Sequence, residues 1–143
     1  MKRYFFLLSL LYCAFSFVAS AGDPDQIIGI WKSSNEDLIV KIDKVGDHFQ
    51  GRIVWLGSKG GSQPELDERN PNERLKRLPL KGNKIIKELS FNPSASVWGG
   101  TYYNYKEGRV YRCQITFHGN DLIKITKFDQ SKQDGIAENW IRQ

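Results

Sequence analysis

Leu38, Val40 and Ile42 alternate with Ile39 and Lys41, the period-two pattern of a half-buried β-strand. Val45-Gly46-Asp47 is a turn, and beyond it Phe49, Gly51, Ile53 and Trp55 share one face with Gln50 and Arg52 opposite, so the two runs predict a hairpin. A strand over 98–103, a turn at Lys106-Glu107-Gly108 and an alternating run of Tyr111, Cys113, Ile115 and Phe117 predict a second one. His118-Gly119-Asn120-Asp121 then turns the chain into Ile123 and Ile125, and shorter strands fit Gly29–Ser33, 84–90 and Ile136–Arg142. About eight short strands separated by Gly-rich turns predict an all-β barrel or sandwich.

One interval breaks the alternation. Residues 57–83 separate the first three strands from the last five; they open with the turn-prone run Ser58-Lys59-Gly60-Gly61-Ser62 and then pack charge densely over 67–77. A structureless loop of this length is unusual in a compact domain and points to a functional lid or a disordered excursion. Asn70 is a good N-cap, Pro71 suits the first helical position, and Glu73 stands three residues after the cap, as in a capping box. The sequence therefore predicts a short helix from Pro71 to about Arg77, stopped by Pro79. It would carry Arg74 and Arg77 on one face and a small apolar stripe of Leu75 and Leu78, which must dock for so short a helix to hold. Asp67 is expected to pair with Arg74 or Arg77.

The start of the chain follows other rules. Lys2 and Arg3 precede an apolar run over 4–18 and the small-residue site Ala19-Ser20-Ala21, which together predict a secretory signal peptide, 1–21, cut after Ala21. The run is shorter than the roughly 20 residues that a spanning helix needs, and Cys13 follows bulky Tyr12 where a lipoprotein signal wants a small residue. The expected product is one domain, 22–143, periplasmic or secreted, with no transmembrane span. Loss of Lys2 and Arg3 lowers the formal charge from +5 to +3, and without a long basic run nucleic acid is not an expected partner. Cys113 is the one cysteine of that product, so no internal disulfide is expected. Its place among apolar neighbours predicts a buried, inert thiol.

Chemistry-bearing residues are sparse. His48 and His118 lie beside separate turns and the thiol is single, so the three or four ligands of a zinc site are not assembled, and no metal or other cofactor is expected. No nucleophile-elbow motif is present. Asp67, Glu68 and Glu73 could serve as paired carboxylates, but Arg69, Arg74, Lys76 and Arg77 among them favour mutual salt bridges, and no catalytic residue is assigned. The aromatics carry more. Trp31, Trp55, Trp98 and Trp140 fall on four separate strands, where they would anchor a core, and a barrel of about eight strands can also hold one small molecule. Trp55 and Trp98, with Tyr102 and Tyr111, are the candidate cavity lining, and Arg74 or Arg77 the candidate headgroup contact.

Gly29-Ile30-Trp31 on the first strand and Arg142 at the end of the last form a pair. In a closed barrel these strands are neighbours, so the guanidinium would stack on the indole. This resembles the signature of lipocalins and their calycin relatives. The resemblance sharpens when Phe49-x-Gly51-Arg52-Ile53-Val54-Trp55-Leu56, Asp67-x-x-Asn70-Pro71-x-x-x-Arg74-x-x-Arg77 and Leu80-x-Gly82 are added. It continues through Trp98-Gly99-Gly100-x-Tyr102, Gly108-x-x-Tyr111 and Trp140-x-Arg142. Read together, these are similar to the exported bacterial family known as domain of unknown function 2147. Asn104-Tyr105-Lys106-Glu107 departs from the family at a loop tip. The resemblance implies an exported, lipocalin-like antiparallel up-and-down barrel of about eight strands; it brings no catalytic residue with it.

Three function classes follow. The first is a barrel that binds a small apolar or amphipathic molecule, with the 67–77 segment over its mouth. The second is a non-catalytic envelope protein whose barrel is filled and whose charged loop meets partners. The third is a hydrolase-type enzyme that uses loop carboxylates. A cavity of about 300 Å³ or more favours the first, and an interior filled by the four tryptophans favours the second.

Overall fold

Eight antiparallel strands close into a barrel, each hydrogen-bonded to its sequence neighbour and the last to the first. The computed structural model describes residues 22–57, 63–129 and 134–143; the expected signal segment and the Ser58–Ser62 run lie outside them. The strands are β1 (Gly29–Ser33), β2 (Leu38–Val45), β3 (His48–Leu56), β4 (Lys84–Asn92), β5 (Val97–Asn104), β6 (Arg109–Phe117), β7 (Leu122–Phe128) and β8 (Ile136–Arg142). The alternation read from sequence is the alternation of burial: Leu38, Val40 and Ile42 on β2 point inward, as do Cys113 and Ile115 on β6 and Ile123 and Ile125 on β7. Among the described residues no helix is long and apolar enough to cross a membrane.

The two ends of the barrel are built differently. β1 starts and β8 finishes at one end, which the β2–β3, β4–β5 and β6–β7 turns also close. A 3-10 turn at Pro24–Ile27, capped by the Asp23 carboxylate, buries Ile27 there. The indole N–H of Trp31 donates to the Ile27 carbonyl at 3.0 Å, and that of Trp98 to the Pro24 carbonyl at 3.0 Å. Phe117 packs edge-on against Trp31 at 5.8 Å and against Trp98 at 5.2 Å. Outside this plug the Arg142 guanidinium lies 4.2 Å from the Trp31 ring and donates to the carbonyls of Ile28 (3.0 Å) and Gln26 (2.9 Å). A Cβ on Gly29 would stand 2.5 Å from Arg142 Nη1, and the backbone there has φ +154°; glycine stands two residues before this tryptophan because the guanidinium occupies that space and the conformation disfavours a side chain.

At the other end the expected helix from Pro71 does not form. Residues 71–78 are successive turns, with Leu75 N–H bonded to Asn72 O (2.9 Å) and Leu78 N–H to Leu75 O (3.0 Å). The Asn70 side-chain oxygen accepts from the Asn72 N–H (2.9 Å), and that of Asn72 from the Arg74 N–H (3.0 Å). Two such local bonds in succession offer the backbone an alternative to helix. Leu75 and Leu78 are 40% and 51% exposed, so no docked stripe repays nucleation. The excursion is instead pinched shut at its base, where Leu66 bridges Pro79 and Leu80 N–H donates to Glu65 O at 2.8 Å.

Candidate functional site

The end opposite the plug opens into a cavity of about 860 Å³. Its walls are the β1–β2 connection (Asn35, Glu36, Asp37), the end of β3 (Leu56, Gly57), the first leg of the long loop (63–66, 68 and 69) with Leu80, and the β5–β6 turn (Tyr105, Lys106). Leu56, Leu66 and Leu80 are its leucine lining. Among the described lining residues there are four carboxylates, Glu36, Asp37, Glu65 and Glu68, and two cations, Arg69 and Lys106. Lys106 Nζ lies 3.2 Å from Glu36 Oε1, while the Arg69 guanidinium donates to the Lys106 carbonyl at 2.6 Å.

The loop wall is held by Asp67, which is 1% exposed. Its Oδ1 accepts from the Tyr103 hydroxyl at 2.7 Å, and its Oδ2 from the side-chain amides of Asn70 (2.7 Å) and Asn83 (3.0 Å). Burial first, then the Asp67 hydrogen bond, pushes the Tyr103 hydroxyl well above its ordinary value, so the phenol remains a donor. These donors occupy both oxygens of Asp67, in place of the expected pairing with Arg74 or Arg77. The loop also rests on the β5–β6 turn: a Cβ at Gly108 would run into the Arg69 carbonyl oxygen.

Beneath the mouth the interior turns polar. Lys127 Nζ and Glu138 Oε1 are 3.2 Å apart on side chains only 11% and 5% exposed. Trp140 Nε1 donates to the same Glu138 oxygen at 2.8 Å, and Lys127 Nζ sits 4.2 Å from the centre of the Tyr102 ring. Burial, followed by the Glu138 and Glu36 charges, holds the Tyr102 hydroxyl well above its usual range. Tyr105 Oη is 3.5 Å from Glu36 Oε2 and is likewise pushed up by burial and then by the Glu36 charge. Burial raises the Cys113 thiol to about 12, which keeps it protonated and unreactive. A thiol reagent at pH 8 is therefore expected to label the native protein at least a hundredfold more slowly than the denatured chain. Comparable rates, read by absorbance of the released chromophore, would contradict this.

Residues 29–135 match the family model described as "Uncharacterized protein conserved in bacteria (DUF2147)". The chain belongs to the DUF2147 family. Among solved structures the DUF2147 barrel is similar to protein HP1028 from the human pathogen Helicobacter pylori, described as belonging to the lipocalin family, with a TM-score of 0.68 at 20% identity over 81% of this chain and 82% of that one. That likeness carries the fold alone. No match is found among curated proteins.

The DUF2147 barrel disperses the residues singled out from sequence. Tyr102 is inside, under the cavity, whereas Trp98 belongs to the plug at the far end. Trp55 lies on the outer surface, 43% exposed, because β2 pairs Ile39 with Trp55 but Val40 with Ile53. The extra residue, Val54, is a bulge that reverses which face follows it. Tyr111 is half-buried and donates to Glu107 at the rim. Arg74 and Arg77 are exposed and are not among the cavity-lining residues, where the loop contributes Arg69 instead. Trp31 and Arg142 stack as the calycin pattern implies, and Pro71 starts a turn. Sequence reasoning passed over Lys127 and Glu138, although both fall in phase with inward neighbours, Ile123 and Ile125 in one case and Trp140 in the other.

Proposed function

We propose that this protein is an exported barrel that binds one small amphipathic molecule in its open mouth. The observation that carries the reading is the cavity of about 860 Å³, within the range of small-molecule sites. It stands at one end of a barrel whose other end is plugged. Leu56, Leu66 and Leu80 line it together with carboxylates and a tyrosine, the mixture an amphipathic ligand needs. Among the described lining residues carboxylates outnumber cations, which disfavours an anionic headgroup, and the exposed Arg74 and Arg77 are not in that lining. The export half of the proposal rests on the basic, apolar and small-residue order of the first 21 residues.

The rival reading, a filled barrel that serves as an envelope structural protein, draws on Trp31, Trp98 and Trp140, which are all buried. Trp31 and Trp98 pack in the plugged half and Trp140 fills the interior below the mouth, while the cavity lies above it among the connecting loops. Native mass spectrometry of protein purified from its own envelope tests the choice. A discrete added mass of a few hundred daltons, released by denaturation, is the expected result. A spectrum of bare protein under conditions that preserve weak complexes would favour the rival. The same measurement reads the mature mass, and a chain that retains residues 1–21 would overturn cleavage after Ala21.

A further inference from the structure

A closed barrel has no free strand edge, so anything that docks on its wall must meet outward side chains. Over β1–β3 the strand register sets those side chains in two cross-strand rows. In the first, Ile141 of β8 stands opposite Lys32 of β1, Lys32 opposite Ile39 of β2, and Ile39 opposite Trp55 of β3. In the second, Ile30 stands opposite Lys41, Lys41 opposite Arg52, and Arg52 opposite Lys84 of β4. Opposed positions hold their Cβ atoms about 5 Å apart, and diagonal ones are within reach of long side chains. Ile39 thus adjoins Trp55 directly, and Ile30 lies on the diagonal of both Ile39 and Ile141, which makes one apolar patch. Ile30, Trp55 and Ile141 are each at least two-fifths exposed. The bulge at Val54 is what turns Trp55 out to join them. The cations beside the patch outnumber the acids. Among the described residues Asp43 meets Lys41 at 3.2 Å, and no carboxylate is in ion-pair contact with Lys32, Arg52 or Lys84. Asp37 is at the mouth, beside Gly57 and past the end of both rows.

We propose that this outer face of β1–β3 docks on an anionic lipid bilayer. An indole and isoleucines set among lysine and arginine match the layers of such a surface. The indole takes the headgroup level, and the apolar tips enter just beneath it. Lys32, Arg52 and Lys84 meet lipid phosphates, with their stems lying along the apolar patch. A second copy of the chain suits the face less well. A two-fold contact places the same patch on both partners, so it would set these cations against themselves. The proposal stands apart from the ligand reading, because no residue of either row lines the mouth cavity.

Co-sedimentation of protein purified from its own envelope with large vesicles tests this. One set is phosphatidylcholine alone, and the other contains about one third phosphatidylglycerol. The wild type is expected to partition onto the anionic vesicles roughly tenfold more strongly than onto the neutral ones, and Lys32→Glu/Arg52→Glu should abolish that preference. Both side chains are exposed, so the variant should unfold at the wild-type temperature. Vesicles with brominated acyl chains should quench the indole emission of the wild type and spare Trp55→Phe, because Trp31, Trp98 and Trp140 are buried in the barrel. This second measurement decides alone should the charge-reversed variant fail to fold. Equal binding to both vesicle sets, a charge-reversed protein that keeps the preference, or quenching that survives Trp55→Phe would overturn the proposal. A dimer in sedimentation equilibrium that Trp55→Ala dissociates, with vesicles left unbound, would overturn it in favour of a second copy.

Discussion

Asp67→Ala is expected to lower the unfolding free energy by about 3 kcal/mol, the largest effect of any single change outside the apolar core. The carboxylate accepts from three side chains, Tyr103, Asn70 and Asn83, and Tyr103 and Asn70 are themselves buried. Truncation leaves those donors unsatisfied, which costs about 1–3 kcal/mol for a buried group. Tyr103→Phe removes one donor and keeps the ring, so it should cost about 1 kcal/mol. Guanidinium denaturation reads both. Equal midpoints for wild type and Asp67→Ala would show that the loop wall is held by something else. The same variant should weaken any mouth ligand, because the segment Asp67 fastens supplies Glu65, Leu66 and Arg69 to the cavity.

The second large effect is expected at the plugged end. Arg142→Ala should cost about 2 kcal/mol: two charge-assisted bonds to carbonyls and a stacked cation are lost, discounted because the side chain is 27% exposed. Gly29→Ala should cost nearly as much without touching the arginine, since its methyl would claim the position of Nη1. The double variant should then cost less than the sum of the two single changes, because the clash disappears while the backbone strain at φ +154° remains, a coupling that a double-mutant cycle measures directly. Fully additive losses would show that the two residues act independently and that only the backbone conformation calls for glycine at this position.

Local period and turn chemistry were enough to place the strands. A half-buried strand must alternate, so Leu38–Val40–Ile42 and Cys113–Ile115 announced their inward faces, and the Trp31–Arg142 contact followed once first and last strands were taken as neighbours. Where a residue acts depends on which distant chain segment it meets. The capping signals at Asn70 and Pro71 are genuine local preferences, yet Asp67 draws Asn70 into a network with Tyr103 and Asn83, and the segment closes as turns. A single bulge at Val54 reverses the alternation and turns Trp55 outward. Lys127 and Glu138 sit on the paired neighbours β7 and β8, whose register brings them to 3.2 Å, while the curvature of the sheet sets the ring of Tyr102 on β5 against the ammonium. The strands and most of their inward faces were legible from the chain alone, because they follow from a period of two; at the plugged end only the Trp31–Arg142 stack was, and the seat of Trp98 on the Pro24 carbonyl was not. The mouth and its carboxylates, and the plug seat of Trp98, were decided by tertiary structure, because each depends on segments far apart in the chain that only the folded barrel brings together.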